Sequence, residues 1–389
     1  MNRPRILFLD HSGVLGGAEL YLLDAARAYR DHCTVLLFEE GPFADRLRAD
    51  DINVDVLPAP KALRTVRKDG SVWASLYALP SLAILIARTL RRARSHNLLF
   101  ANSQKSLLVG AVVSLLTGRP LVWNLHDLLT ASHFTALNRR VAVTAANMAA
   151  HHVIVNSQAT LDAFRQSGGR PPASVVYNGL APERFDAGTH DQATALRTAL
   201  GVGEAPLVGV FSRLSPWKGQ HVLLEALSTR PSVHAILVGD ALFDGDHEYA
   251  ASLHRLVERH QLQDRVHFLG FREDVPALMR ACDVVLHTST APEPFGRVIV
   301  EGMLAERPVI ATRAGGAVEI IEDGVTGRLV PPDDPISLGR ALDEVLHDPS
   351  HATALARSGA RMATHRFSLN RQIDGITKVL TTVSQRHAA

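Results

Sequence analysis

The sequence predicts an α/β protein made of two Rossmann-like domains, each an open parallel sheet wound with helices on both faces. Three observations carry this. Short apolar runs such as Arg5 to Leu9 (RILFL) and Leu207 to Phe211 (LVGVF) suit strands covered on both faces, the condition inside a parallel sheet. These runs alternate with segments whose apolar residues recur at helical spacing, the pattern of repeated βαβ units. The alternation then starts afresh after a polar, turn-rich stretch near residues 180–205, in a chain whose 389 residues exceed one typical core. A first domain over 1–180 and a second over 181–367 follow.

Composition narrows the class. A hydrophobic content of 46% and a charged content of 21% describe a folded globular protein, and a net charge of only +2 gives no reason to expect nucleic acid as a partner. Cys33 and Cys282 lie far apart, so buried free thiols in a reducing compartment are expected, with neither a disulfide nor a metal site. The start MNRPRILFLDHSG passes from a basic residue straight into a strand, unlike a signal peptide, and the longest apolar candidate, Leu76 to Ala87, is too short to span a bilayer. A cytoplasmic protein is the expectation.

In the first half, Arg5 to Leu9 leads through His11 to Gly17 into a helix with Leu20, Leu22, Leu23 and Ala26 on one face. Gly16-Gly17 either admits a ligand close to the helix N-terminus or makes a plain tight turn. Further strands are expected at Cys33–Phe38, Val54–Leu57, Leu98–Ala101, Leu121–Asn124, His152–Asn156 and Ser174–Tyr177. Open sheets bind ligands beyond the carboxyl ends of their strands, which singles out Asp10, His11, Asn102, Ser103, His126 and Asp127. His126 could donate a hydrogen bond or titrate near neutrality; a structural or surface role is the alternative. Asp127 would cap the next helix, as Ser157 would cap its own. Two basic segments, Lys61, Arg64, Arg67, Lys68 and then Arg88, Arg91, Arg92, Arg94, read as solvated faces or as a contact with an anionic membrane, with Leu82 to Ile86 beside it.

The second half repeats the pattern. After Leu207–Phe211 come Arg213 and Lys218 on one loop, two cations that suit a shared diphosphate. His234–Val238 ends at Gly239, where glycine could let a ligand approach the backbone. Val266–Leu269 is followed by Gly270-Phe271-Arg272, with Phe271 as a candidate for the core. After Val284–His287 the chain reads APEPFGRVIVEGML: Glu293 is held in a loop by Pro292 and Pro294, and Phe295-Gly296 open a helix through Arg297 and Val298 with Glu301 on it. The first N–H groups of that helix and its dipole suit a phosphate-sized anion. Val309–Ala311 is the next strand, Gly315-Gly316 with Glu319 begins another helix, and helices at Pro335–Leu346, Ser350–His365 and Ser368–Val383 close the chain.

Two glutamates separated by seven residues, with Gly16-Gly17, His126, Asn178-Gly179, Arg213 and Lys218 in order before them, resemble the retaining nucleotide-sugar glycosyltransferases of family 4. The resemblance covers almost the whole chain. It implies the GT-B architecture, two facing Rossmann-like domains with an inter-domain cleft and a final helix, here 368–389, that returns to the first domain. It also implies site roles. Arg213 and Lys218 hold the diphosphate in place of a metal, with Phe295, Gly296, Arg297 and Val298 at the anion-binding helix start. Glu293 and His126 contact the donor sugar and Glu301 the ribose. The backbone near Arg272, with Phe271 and Val275 close by, meets the base, and Gly239 lines the same side. Gly16 and Gly17 lie against both the donor and the acceptor, and His126 also faces the acceptor. The donor would be a UDP-sugar, or a GDP-sugar as elsewhere in the family. The acceptor would be a glycan, a lipid-linked sugar or a small molecule, with a front-face reaction and no cofactor. A nucleotide-sugar epimerase and a non-catalytic sugar-binding protein are the competing readings.

Overall fold

A computed structural model describes residues 3–58, 79–185, 189–242 and 244–388. The chain divides into one unit of Met1–Gly179 with Leu369–Ala389 and a second of Leu180–Ser368. In the first, β1 (Ile6–Asp10), β2 (Cys33–Leu37), β3 (Val54–Val56), β4 (Leu98–Ala101), β5 (Leu121–Leu125), β6 (Ala150–Val155) and β7 (Ala173–Val175) form a parallel sheet ordered β3-β2-β1-β4-β5-β6-β7. The alternation of side chains along β1 makes two cores at once. Ile6 and Phe8 join Leu22, Phe43 and Phe100 on one face, while Leu7 and Leu9 join Leu99, Trp123 and Phe164 on the other.

Helices α1 (Gly17–Ala28), α2 (Pro42–Ala49), α3 (Leu79–Ala93), α4 (Gln104–Thr117), α5 (Ala136–Ala149) and α6 (Gln158–Gln166) cover the sheet. Ser157 caps α6 as expected, its hydroxyl accepting from the Thr160 N–H at 3.0 Å. Asp127 does not cap a helix. The chain stays irregular until Thr135, which accepts from the Asn138 N–H and starts α5. The basic segment Lys61, Arg64, Arg67, Lys68 lies outside the described residues. Both cysteines are buried and free, and no helix among the described residues is long and apolar enough to cross a membrane.

The second unit contains β8 (Leu207–Phe211), β9 (His234–Val238), β10 (Val266–Gly270), β11 (Val284–His287), β12 (Val309–Thr312) and β13 (Arg328–Val330), ordered β10-β9-β8-β11-β12-β13 and all parallel. Around them lie α7 (Thr189–Ala199), α8 (Gln220–Leu227), α9 (Asp244–Arg259), α10 (Val275–Ala281), α11 (Arg297–Leu304), α12 (Ala317–Ile320), α13 (Pro335–His347) and α14 (Pro349–Arg366). The last helix, α15 (Leu369–Ala388), belongs to the first unit: Thr377 accepts from the Tyr29 hydroxyl at 2.9 Å and Gln372 from the Gly179 N–H at 2.6 Å. In each sheet the strand order reverses between the first and fourth strands. Those two switch points, β1/β4 and β8/β11, are where an open α/β sheet leaves a crevice.

Candidate functional site

At the second switch point the loop after β8 meets the loop after β11. Gly219 sits at φ +68, and a Cβ there would stand 2.0 Å from the Thr288 carbonyl, so only glycine lets the two loops touch. Thr288 Oγ1 donates to the Lys218 carbonyl at 2.8 Å and the Thr290 N–H to that of Trp217 at 2.8 Å. Lys218 is thereby held over the Trp217 ring, 4.1 Å from its centroid.

Lys218 Nζ reaches Glu293 Oε2 at 2.8 Å, with the two side chains 16% and 14% exposed. Ser289 Oγ donates to the same oxygen at 3.1 Å, and the buried His287 Nε2 lies 3.3 Å from it. Burial alone would raise the Glu293 carboxyl. Lys218 and His287 outweigh it and hold the group well below the usual carboxylate range, so Glu293 is an anion at any physiological pH. The loop that carries it is fixed by Gly315-Gly316. Gly316 N–H donates to the Glu293 carbonyl at 2.8 Å, and a Cβ on Gly315, at φ +61, would fall 2.1 Å from that oxygen. Sequence reading gave Gly315-Gly316 no task beyond starting a helix.

Arg213, on the same loop as Lys218, lies 3.2 Å from Asp246 of α9. Each cation therefore faces its own carboxylate; the sequence expectation of two cations kept together by one shared anion did not include either partner. On α11, Arg297 donates to Glu301 at 2.9 Å across one turn, and Gly296 precedes it at φ +102. Phe295 is buried against Phe367, their centroids 5.6 Å apart, while Val298 is half-buried. Gly239, at φ +133, is required by the Ser212 carbonyl, 2.1 Å from where its Cβ would be. Phe271 is 66% exposed, which rules out the core alternative: β10 ends at Gly270 in a left-handed turn that carries the ring off the sheet. Arg272 makes a two-pronged contact with Asp274 at 2.7 and 2.6 Å, just before Val275 opens α10.

The first unit has its own cluster at its switch point. Asp10, fully buried, accepts from the His11 N–H at 2.6 Å and from Asn102 Nδ2 at 2.6 Å. Asn102 Oδ1 accepts from Asn124 Nδ2 at 2.9 Å and lies 2.9 Å from His126 Nε2. Glu19 folds back over Gly16, accepting its N–H at 3.0 Å; a Cβ on Gly16 would strike that carboxylate, whereas one on Gly17 would meet nothing. Glu19, Asn102, Asn124 and His126 line a cavity of about 200 Å³ with His11, Ala18 and Gln104. Burial pushes His126 down to about 4, against a smaller opposing pull from Asp10. Titration near neutrality is thus corrected: at pH 7 the ring is a neutral hydrogen-bonding group. Burial, then the charge of Asp10, raise Glu19 to about 7. Asp10 was legible as a polar residue at a strand end; that Glu19, in the first turn of α1, would lie close enough to feel its charge was not.

Residues 16–179 match the family described as Glycosyl transferase 4-like domain and residues 194–362 that described as Glycosyl transferases group 1. The chain is 45% identical to Anabaena Alr3699/HepE, solved in complex with UDP and glucose, over 97% of this chain and 100% of that one, with a TM-score of 0.90. A structure of the same protein in complex with UDP-glucose aligns with a TM-score of 0.89 at 44% identity, covering 97% of this chain and 99% of that one. The Alpha-D-kanosaminyltransferase of Streptomyces kanamyceticus is 28% identical over 344 residues, 84% of this chain and 86% of that protein.

Proposed function

The chain belongs to the glycosyltransferase 4-like family and is a glycosyltransferase of GT-B architecture, and from that premise we propose that it moves a hexosyl group from a UDP-sugar to a glycan, lipid-linked or small-molecule acceptor with retention of configuration. The observation that carries the site assignment is the Lys218–Glu293 pair at the β8/β11 switch point. An incoming diphosphate draws Lys218 and Arg213 toward its oxygens, and their charge offsets the negative charge that builds on the departing phosphate, the task a divalent ion performs in other transferases. Glu293, left with less cation, accepts hydrogen bonds from hydroxyls of the donor sugar. Glu301 accepts from the ribose, and Phe271 with the backbone at Arg272 and Val275 meets the uracil. Neutral His126 contributes a hydrogen bond to the sugar rather than a proton.

Retention requires either a carboxylate nucleophile beneath the anomeric carbon or attack from the face the phosphate leaves. We favour the second: the C–O bond to the diphosphate breaks, the acceptor oxygen bonds to the same face, and the acceptor proton passes to the leaving phosphate. The reaction takes place on the cytoplasmic side. The HepE complexes with UDP and UDP-glucose support uridine over guanosine.

The test is thermal stabilisation by UDP, GDP and ADP in chelator, repeated with Arg213→Ala. UDP at about 100 times its dissociation constant adds about 2.7 kcal/mol, a readable shift. A UDP-selective shift lost in the variant supports the reading. No shift with any nucleotide overturns it, and UDP release with an epimerised sugar in the absence of acceptor would assign the epimerase instead.

A further inference from the structure

The two ion pairs on the loop after β8 are built differently. Glu293 is well supplied: Lys218 and Ser289 both donate to Oε2, and His287 lies against the same oxygen. Asp246, the third residue of α9, is 6% exposed and meets Arg213 through charge alone. Its Oδ2 stands 3.2 Å from Arg213 Nε, yet this buried oxygen accepts no hydrogen bond among the described residues. A buried carboxylate oxygen left in that state is costly, and its retention asks for a reason. A carboxylate near the start of a helix is favoured by the dipole, but that task needs no burial and is done at less desolvation by an exposed side chain.

The main chain at Arg213 is not free to improve the contact. Gln220, fully buried, donates through Nε2 to the Ser212 hydroxyl and to the Arg213 carbonyl, both at 2.9 Å. The Ser212 N–H donates to the Val238 carbonyl at 2.9 Å and the Leu214 N–H to that of Asp240 at 3.1 Å. With the backbone pinned on both sides, the side chain alone can adjust, and a modest turn of the guanidinium brings Nε–H onto Oδ2. The guanidinium is a rigid planar fork, so a carboxylate on its Nε edge fixes the plane in which the terminal nitrogens lie. Two-pronged recognition of a phosphate depends on that plane.

We propose that Asp246 is a positioning residue of the donor site: it seats Nε of Arg213 so that the terminal guanidinium nitrogens meet the diphosphate, and the seat closes into a hydrogen bond as the diphosphate binds. This rests on the transferase reading, in which Arg213 holds the diphosphate. Contacts of this kind are often long before the ligand arrives and tighten in the complex. The unsatisfied Oδ2 is then the part of the site that donor binding completes, and α9 is coupled to the donor through it.

The experiment is calorimetric titration of the full-length protein with UDP and with UMP. UMP keeps the base and ribose and lacks the second phosphate, so the ratio of the two affinities reports the diphosphate contact. Asp246→Asn should lower that ratio about tenfold, the worth of one hydrogen bond to a charged group, with UMP affinity within about twofold of native. Asp246→Glu, which keeps the charge and displaces it, should lower the ratio too. Glu248→Gln, which removes an exposed carboxylate from the same helix, should leave it unchanged and so exclude a general charge effect. In an Arg213→Ala background, Asp246→Asn should do nothing further. A ratio lowered by Arg213→Ala but kept in both Asp246 variants overturns the proposal and leaves the donor assignment standing. A ratio that rises in Asp246→Asn overturns it as well, making Asp246 a competitor of the diphosphate. Loss of UMP binding in both Asp246 variants would reduce Asp246 to a structural role, and native protein with no preference for UDP would remove the donor reading and this inference together.

Discussion

Replacing Lys218 by Met removes the main counter-charge of Glu293 while keeping most of the packing over Trp217. At 2.8 Å the direct attraction is about 6 kcal/mol at an effective dielectric near 20, much of it offset by desolvation of both ions. Taking away one partner of a pair this enclosed leaves a stranded charge, worth about 3–5 kcal/mol; Ser289 and His287 still face the carboxylate, so about 3 kcal/mol is expected. Glu293→Gln alone strands the ammonium, for about 2 kcal/mol, and the double variant should lose about 3 kcal/mol, well short of the sum. Urea unfolding with the two units fitted as separate transitions measures all four proteins. The pH dependence has a definite sign. Glu293 titrates below its unfolded value, so its contribution is present above about 4.5 and is lost as pH falls. The gap between native and Lys218→Met should therefore narrow from pH 6 to pH 4. Additive single losses, or a gap that stays constant, would refute the view that this pair is a mutually neutralised, enclosed unit.

Glu19→Gln tests the other cluster: because the native carboxyl is raised to about 7, it favours folding below about pH 4.5, and that advantage of about 3 kcal/mol is lost as pH climbs through 7. Protection against hydrogen exchange in β1 and α1 should weaken from pH 5 to 8 in the native chain, after correction for intrinsic rates, and far less in the variant. Gly315→Ala forces a methyl against the Glu293 carbonyl at a positive φ, so turnover should fall at least tenfold with a loss of about 2 kcal/mol or more in the second unit; near-native activity would show that the loop is not held there. The acid limb of kcat should lie well below 6.5 as far as His126 is concerned, given its value near 4, and a limb near 6.5 abolished by His126→Gln would contradict the neutral-ring assignment.

Much of the architecture could be read from apolar runs, because strands buried on both faces leave uninterrupted signatures such as LVGVF at β8. One miss was β13, three residues between Gly327 and a Pro-rich turn, too short for any period to register; another was α7, a helix inside the stretch read only as a polar boundary. The site was legible where chemistry follows chain order: Lys218 and Glu293 stand after the first and fourth strands of the second half. Their partners were not. Asp246 and His287 are recruited by folding alone, and nothing local in DGDHEY marks the first of them as a counter-ion for Arg213. His126 shows the same limit, since its depressed basicity arises from enclosure rather than from its neighbours in sequence.

The Lys218–Glu293 contact also bears on which anions can compete for this loop. A cationic pocket kept open would attract chloride and inorganic phosphate, both abundant and both without use to a transferase. Here the position next to the ammonium is already held by an internal carboxylate, so a simple ion must displace it and abandon Glu293 in an enclosed site. A nucleotide sugar carries hydroxyls alongside its diphosphate and can satisfy the evicted carboxylate as it claims the lysine. On the proposed donor assignment, the resident ion pair would act as a discriminating plug, yielding to a ligand that brings donors and acceptors together and resisting one that brings charge alone.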